Sequence, residues 1–153
     1  MSYLDTNIGS LISVVRAAAN TAVTAGGAGD ATAVTGVIID RAALRWPKSG
    51  VFAVPFTATL AANETLSLAM TLQHGETANL ADATTFATRA NAVVATGPAG
   101  GGTVTGTVEL DVNLVGASRY LRLNFTPDHS RANTDTSALS GVAVLGGADR
   151  VPQ

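Results

Sequence analysis

The chain has 153 residues, enough to close one hydrophobic core. Hydrophobic residues make up 46%, aromatics only 5% and charged residues 13%, a charge content about half the usual globular share. A net charge of −2 leaves no basic footprint for nucleic acid, and the absence of cysteine excludes disulfides and thiolate chemistry.

Two inferences follow. A surface so poor in charge is one that identical subunits or a larger assembly would cover; the alternative is that Thr, Ser and Asn take the place of charges on an exposed sheet. The longest uncharged stretch, 90–108, is broken by Pro98 and a glycine cluster and cannot form a membrane helix. MSYLDTNIGS carries Asp5 where a secretory signal needs a basic region, so a soluble chain is expected.

In chain order, residues 1–33 differ from the rest. Leu11, Ile12, Val14 and Val15 form an apolar patch, three alanines follow, and Thr24 to Asp30 is a loose Gly/Ala run. This reads as an N-terminal arm with an apolar anchor, or else as a first strand and loop. The β-sandwich domain is expected over 34–153. Val34 to Ile39 is β-branched, and Arg41 to Gly50 connects with a turn at Pro47 to Gly50. Val51 to Leu60 alternates, but Pro55 cannot donate a ladder hydrogen bond, which predicts an edge strand or a bulge. A four-residue turn leads to Thr65–Gln73, so the two strands read as an antiparallel hairpin.

Thr85 to Thr96 is a less regular strand, and Gly97 to Gly102 a flexible hairpin loop. Thr103 to Leu114 is the cleanest alternation, with Val104, Val108, Leu110, Val112 and Leu114 opposite threonines, Glu109 and Asp111. Ser118 to Phe125, a polar loop from Pro127 to Thr136, and Ser137 to Leu145 complete the chain. The fold class is therefore all-β: an antiparallel sandwich or jelly roll of about seven or eight strands with an N-terminal arm. The expected core is Phe52, Val54, Phe56, Leu66, Leu68, Met70, Leu72, Val108, Leu110, Val112, Leu121, Leu123 and Phe125.

Reactive side chains are sparse. His74 and His129 lack any H-x-H or H-E-x-x-H spacing, so no metal site is expected. Asp128, His129 and Ser130 have the residue types of a hydrolase triad. Sequence neighbours rarely line up as one, and no G-x-S-x-G turn exists. The glycine loop lacks the G-K-[ST] ending of a phosphate loop. No catalytic residue and no cofactor are expected. Asp40-Arg41, Arg119 beside Tyr120, Asp135 and Asp149-Arg150 read as structural polar groups at strand ends. Trp46 is either a stacking platform for a sugar or a partly buried cap over the sandwich end.

Gly36 to Arg41, Leu66 to His74, Val108 to Val112, Arg119 to Leu123, Thr134 to Thr136 and Val144 to Asp149 resemble blocks of tailed-bacteriophage head decoration, or cement, proteins, over roughly residues 34–150. The resemblance implies a virion structural protein on the capsid exterior, present in the host cytoplasm during assembly. It would bind the major capsid protein and bridge capsomers, commonly as a homotrimer at threefold positions, without contacting nucleic acid or membrane. Leu11, Ile12, Val14, Val15, Trp46, Arg119 and Arg150 are the candidate interface residues. A tail or head–tail connector protein is the alternative, then a hydrolase around His129.

Overall fold

The computed structural model describes residues 8–148. After a short 3₁₀ turn (Ile8–Ser10) come eight strands: β1 (Ile12–Thr24), β2 (Val34–Asp40), β3 (Ser49–Leu60), β4 (Thr65–Gly75), β5 (Thr84–Thr96), β6 (Gly102–Asn113), β7 (Tyr120–His129) and β8 (Thr136–Gly146). They form two four-stranded sheets, sheet A in the order β1-β8-β3-β6 and sheet B in the order β2-β7-β4-β5. All the pairings are antiparallel, and the interleaved order is that of an eight-stranded jelly roll.

The period-two pattern decides which face of each strand is buried. Phe52, Val54, Phe56, Ala58 and Leu60 of β3 meet Leu66, Leu68, Met70 and Leu72 of β4 and Leu121, Leu123 and Phe125 of β7 in one cluster. Burying each large side chain contributes roughly 1.5–3 kcal/mol. Val108 is buried as expected, but Leu110 and Val112 are only partly so. They lie on β6, an edge strand, where one side of the inward face has no neighbour to cover it.

Six expectations about chain organisation are corrected. Residues 12–24 of the expected arm are strand β1, paired with β8 from Ile12↔Gly146 to Thr24↔Thr136, and Ala17, Ala18 and Val23 lie in the core. The alanine run, which gave no clear period, supplies small side chains where β1 crosses close to β2. A Cβ on Gly36 of β2 would come within 2.5 Å of the Ala17 carbonyl oxygen and 2.0 Å of the Leu123 carbonyl oxygen. Only glycine fits there, and the strand bulges between Thr35 and Ile38.

The segments 51–60 and 65–73 do not form a hairpin. β3 and β4 belong to different sheets, so the 61–64 turn is a corner, with Asn63 at φ +64° and the Ala61 amide donating to Asp135 Oδ1 at 2.8 Å. Nor is β3 an edge strand: it lies between β8 and β6. Its ladder to β6 is continuous, whereas the ladder to β8 is interrupted at Val54 and Pro55 and resumes at Phe56 in the same register. That gap accommodates the missing proline donor. β1 shifts register at the same level of β8, around Gly141.

The loop expected at 127–136 starts later, because β7 runs to His129. β2 has not begun at that level, and the Pro127 carbonyl instead accepts the Ala31 amide at 2.9 Å. The Gly97–Gly102 segment is not a hairpin loop either. It crosses from sheet B to sheet A and is tied to the β3–β4 corner by the Gly97 amide on the Glu64 carbonyl (2.8 Å) and the Asn63 amide on the Gly97 carbonyl (3.1 Å). The turn before β3 falls at residues 41–46, with Ser49 and Gly50 already in the strand.

Leu68→Ala, at the centre of the packed faces, is expected to lower stability by about 2–5 kcal/mol, and Leu110→Ala by clearly less because its site is already partly open. Urea unfolding of both variants checks the order. Deleting residues 1–24 should abolish the cooperative transition, because it strips β8 of one of its two partners and opens the core at Ala17 and Val23.

Candidate functional site

One end of the sandwich gathers the start of β1, the β2–β3 loop (41–48), the β4–β5 loop, the β6–β7 loop and the end of β8, as the pairs Ile12↔Gly146, Ser49↔Asn113 and Gly75↔Tyr120 require. The β2–β3 loop is built on Arg41. Its guanidinium is buried among main-chain carbonyls: Nη1 donates to Ala117 O and, at 3.0 Å, to Ser118 O, and Nη2 donates to Pro47 O at 2.9 Å and Leu114 O at 2.8 Å. The side chain, read from sequence as a structural polar group at a strand end, thus stitches the β2–β3 loop to the β6–β7 loop. Arginine's fixed fork of donors suits four carbonyls in a way that a lysine ammonium does not.

Trp46 covers this arrangement, with the Arg41 guanidinium carbon 5.4 Å from its ring centroid. Trp46 is 41% exposed, and Arg45 and Trp46 both adopt left-handed backbone conformations, φ +62° and +55°. The geometry is that of a cap over the sandwich end.

Asp40 pairs with Arg119, 79 residues away, in a fork of Nε to Oδ1 at 3.0 Å and Nη2 to Oδ2 at 2.8 Å. Arg119 lies over the Tyr120 ring at 5.0 Å. The Arg119 hydrogen bond, assisted by the Ala42 amide, holds the Asp40 carboxyl below the usual carboxylate range. In the β4–β5 loop the Thr77 hydroxyl and the Glu76 and Thr77 amides converge on Asp82 and lower its pKa from 3.8 to about 2.

Beside the cap runs a groove of about 370 Å³ lined by residues that include Leu11, Ile12, Leu44, Pro47 and Leu145. Ile8, Leu11, Trp46 and Val115 present apolar surface around this end. Of the candidate interface residues, Leu11 and Ile12 line the groove, and Trp46 and Arg119 are at the same end. Val14 is exposed on the outer face of sheet A, Val15 packs inward against the core, and Arg150 lies outside the described residues. Sequence reasoning missed Leu44 and Val115, which stand in loops where no period marks a face.

The triad residues are not brought together. His129 points inward, buried, and shares a 3.0 Å hydrogen bond with Ser137 Oγ. Ser130, just past the strand, donates to Glu64 Oε2 at 2.6 Å and accepts the Thr65 amide. Adjacent strand residues face opposite ways, so Asp128 cannot orient His129. His74 Nδ1 accepts the Ser118 amide at 3.0 Å while its ring packs on Phe86. Among the described residues no three His, Asp or Glu side chains gather as a metal site would require, and no helix is long and apolar enough to cross a membrane.

No protein-family model and no curated protein matches the chain. Solved structures do. The T13 particle of infectious bursal disease virus aligns with a TM-score of 0.53 at 17% identity, covering 92% of this chain and 32% of that one. The same virus's VP2 subviral particle gives 0.50 at 16% identity, covering 92% and 34%. This chain spans about a third of the length of those chains, and the likeness is one of fold, the jelly roll.

Two outcomes test this geometry. Arg41→Lys should destabilise by on the order of 2–3 kcal/mol, because buried carbonyls lose donors that the ammonium cannot replace. Asp82→Asn should be less stable than the parent at neutral pH. A lowered folded-state pKa contributes stability that is present above the unfolded value and lost as pH falls through the folded one. The parent's advantage should therefore shrink between pH 3.8 and about 2, which unfolding curves at stepped pH would show.

Proposed function

We propose that this chain is a viral structural protein, a decoration or cement protein that binds the outer surface of a capsid and bridges neighbouring capsomers, with the major capsid protein as partner. The observation that carries the reading is the jelly roll, its two sheets interleaved as β1-β8-β3-β6 and β2-β7-β4-β5 and aligned with viral particle chains over 92% of its length. The resemblance of residues 34–150 to phage head decoration proteins narrows that fold to this role. The dispersal of Asp128, His129 and Ser130 removes the geometric basis for a hydrolase.

The end carrying Leu11, Trp46 and the groove is the surface we assign to the shell. Exposed apolar side chains around a rigid, arginine-braced loop suit a contact that must form without reordering the chain. Several such contacts on one particle add by avidity, so modest individual affinities suffice to stabilise a shell.

Co-sedimentation of the purified protein with undecorated shells tests the reading, with isolated tails in parallel. Saturable binding to shells is expected, and Trp46→Ala or Leu11→Asp should weaken it tenfold or more while the parent fold is kept. Binding to tails alone would favour the tail or connector reading. Unchanged shell affinity in both variants would remove this end from the interface.

A further inference from the structure

We propose that two copies of this chain pair face to face through the outer surface of sheet A, about a twofold axis running along the strands. The two outer faces of the sandwich differ in kind. That of sheet B has a polar centre, with Arg122 and Asn124 both donating to Gln73 Oε1 at 2.8–3.2 Å, and its exposed aliphatics, Ile38 and Val93, stand apart on the two edge strands. That of sheet A carries aliphatic side chains in register rows. Val14, Val144 and Val51 form one row, ending at Asp111, and Arg16, Val142, Ala53 and Glu109 form the next. Val14 is 61% exposed, and Val142, Val144, Val51 and Ala53 are partly exposed.

The charges at the two ends of the second row identify the occupant. Arg16 stands on edge strand β1 and Glu109 on edge strand β6, both exposed, and among the described residues neither forms an ion pair within the chain. Packed sheets lie about 10 Å apart with their strands within about 30° of each other. A twofold axis along the strands reverses the left-to-right order of the strands and keeps height along them. β1 of one copy then lies over β6 of the other, and β8 over β3. Because Arg16 and Glu109 share a row, each Arg16 meets the other copy's Glu109, twice, with Val142 over Ala53 between them. A twofold axis across the strands would set Arg16 on Arg16 and Glu109 on Glu109. The charges of this row select the first arrangement, an isologous contact; in the neighbouring row the same operation sets Val144 over Val51 and Val14 over Asp111.

The area fits as well. Strands of 12 residues in a four-stranded sheet present a face of about 40 by 19 Å, about 750 Å² per copy. A stable protein–protein interface buries about 800 Å² per partner. This pairing is independent of the shell-binding reading, and it leaves the end with Leu11 and Trp46 outside the contact.

Equilibrium sedimentation of the full-length protein, with no capsid present, tests the pairing. The parent should be a dimer that weakens with added salt. Arg16→Glu and Glu109→Arg should each raise the dissociation constant tenfold or more, and the double variant Arg16→Glu/Glu109→Arg should recover most of the loss. Val144→Asp, in the middle of the patch, should give a monomer with the parent's circular dichroism spectrum. A parent that stays monomeric at high micromolar concentration, that forms a trimer, or whose dimer ignores charge reversal would overturn the proposal.

Discussion

Every strand in this chain has one apolar face, and the two sheets exist to bury those faces against each other. The chain meets the constraint by changing sheets at almost every link: β1, β3, β6 and β8 lie in sheet A, and β2, β4, β5 and β7 in sheet B. Only β4 to β5 stays within one sheet. Since most partners in a ladder are far apart in sequence, the fold is made of long-range pairings and its loops collect at two ends. Any function that needs several loops at once therefore belongs at an end.

The two ends are held by different chemistry. At one, Arg41 replaces a network of side chains by spreading a single guanidinium over four carbonyls, so that two loops depend on one buried cation. Asp40 and Asp82 support the same end, while at the other end carboxylates act without a buried arginine. Asp30 accepts the Gly26 and His129 amides, Asp135 accepts the Ala61 amide, and Glu64 takes the Ser130 hydroxyl and lies 3.4 Å from Arg131. Much of the chain's small stock of charge is thus spent on loop structure, and few charges remain to mark surfaces. Arg16 and Glu109 are informative for that reason.

The side edges of the sandwich are unequal too. β1 and β2 approach so closely that Gly36 is wedged against the Ala17 and Leu123 carbonyls. Along β5 and β6 the closure is looser: Phe86, Val94, Val104, Leu110 and Val112 remain only partly buried. Alanine and glycine on the tight side and larger aliphatics on the loose side follow from this difference in spacing.

The inward faces of β3, β4 and β7 were legible in the sequence, because a strict period of two places Phe52, Leu68 and Leu123 on buried faces whatever partner each strand has. The all-β class and most strand positions follow from the same cause. The pairing was not legible. The four residues after Leu60 serve a hairpin or a corner equally well, and only the competition of β8 and β6 for β3 decided between them. β1 was hidden for a related reason: an alanine-rich strand is amphipathic only when a close neighbour needs small side chains, and that neighbour, β2 at Gly36, is set by the closed sandwich. The bond between Asp40 and Arg119 and the burial of Arg41 likewise depend on loops separated by more than 70 residues. Local periodicity carries no information about such distances, and three-dimensional packing alone supplied it.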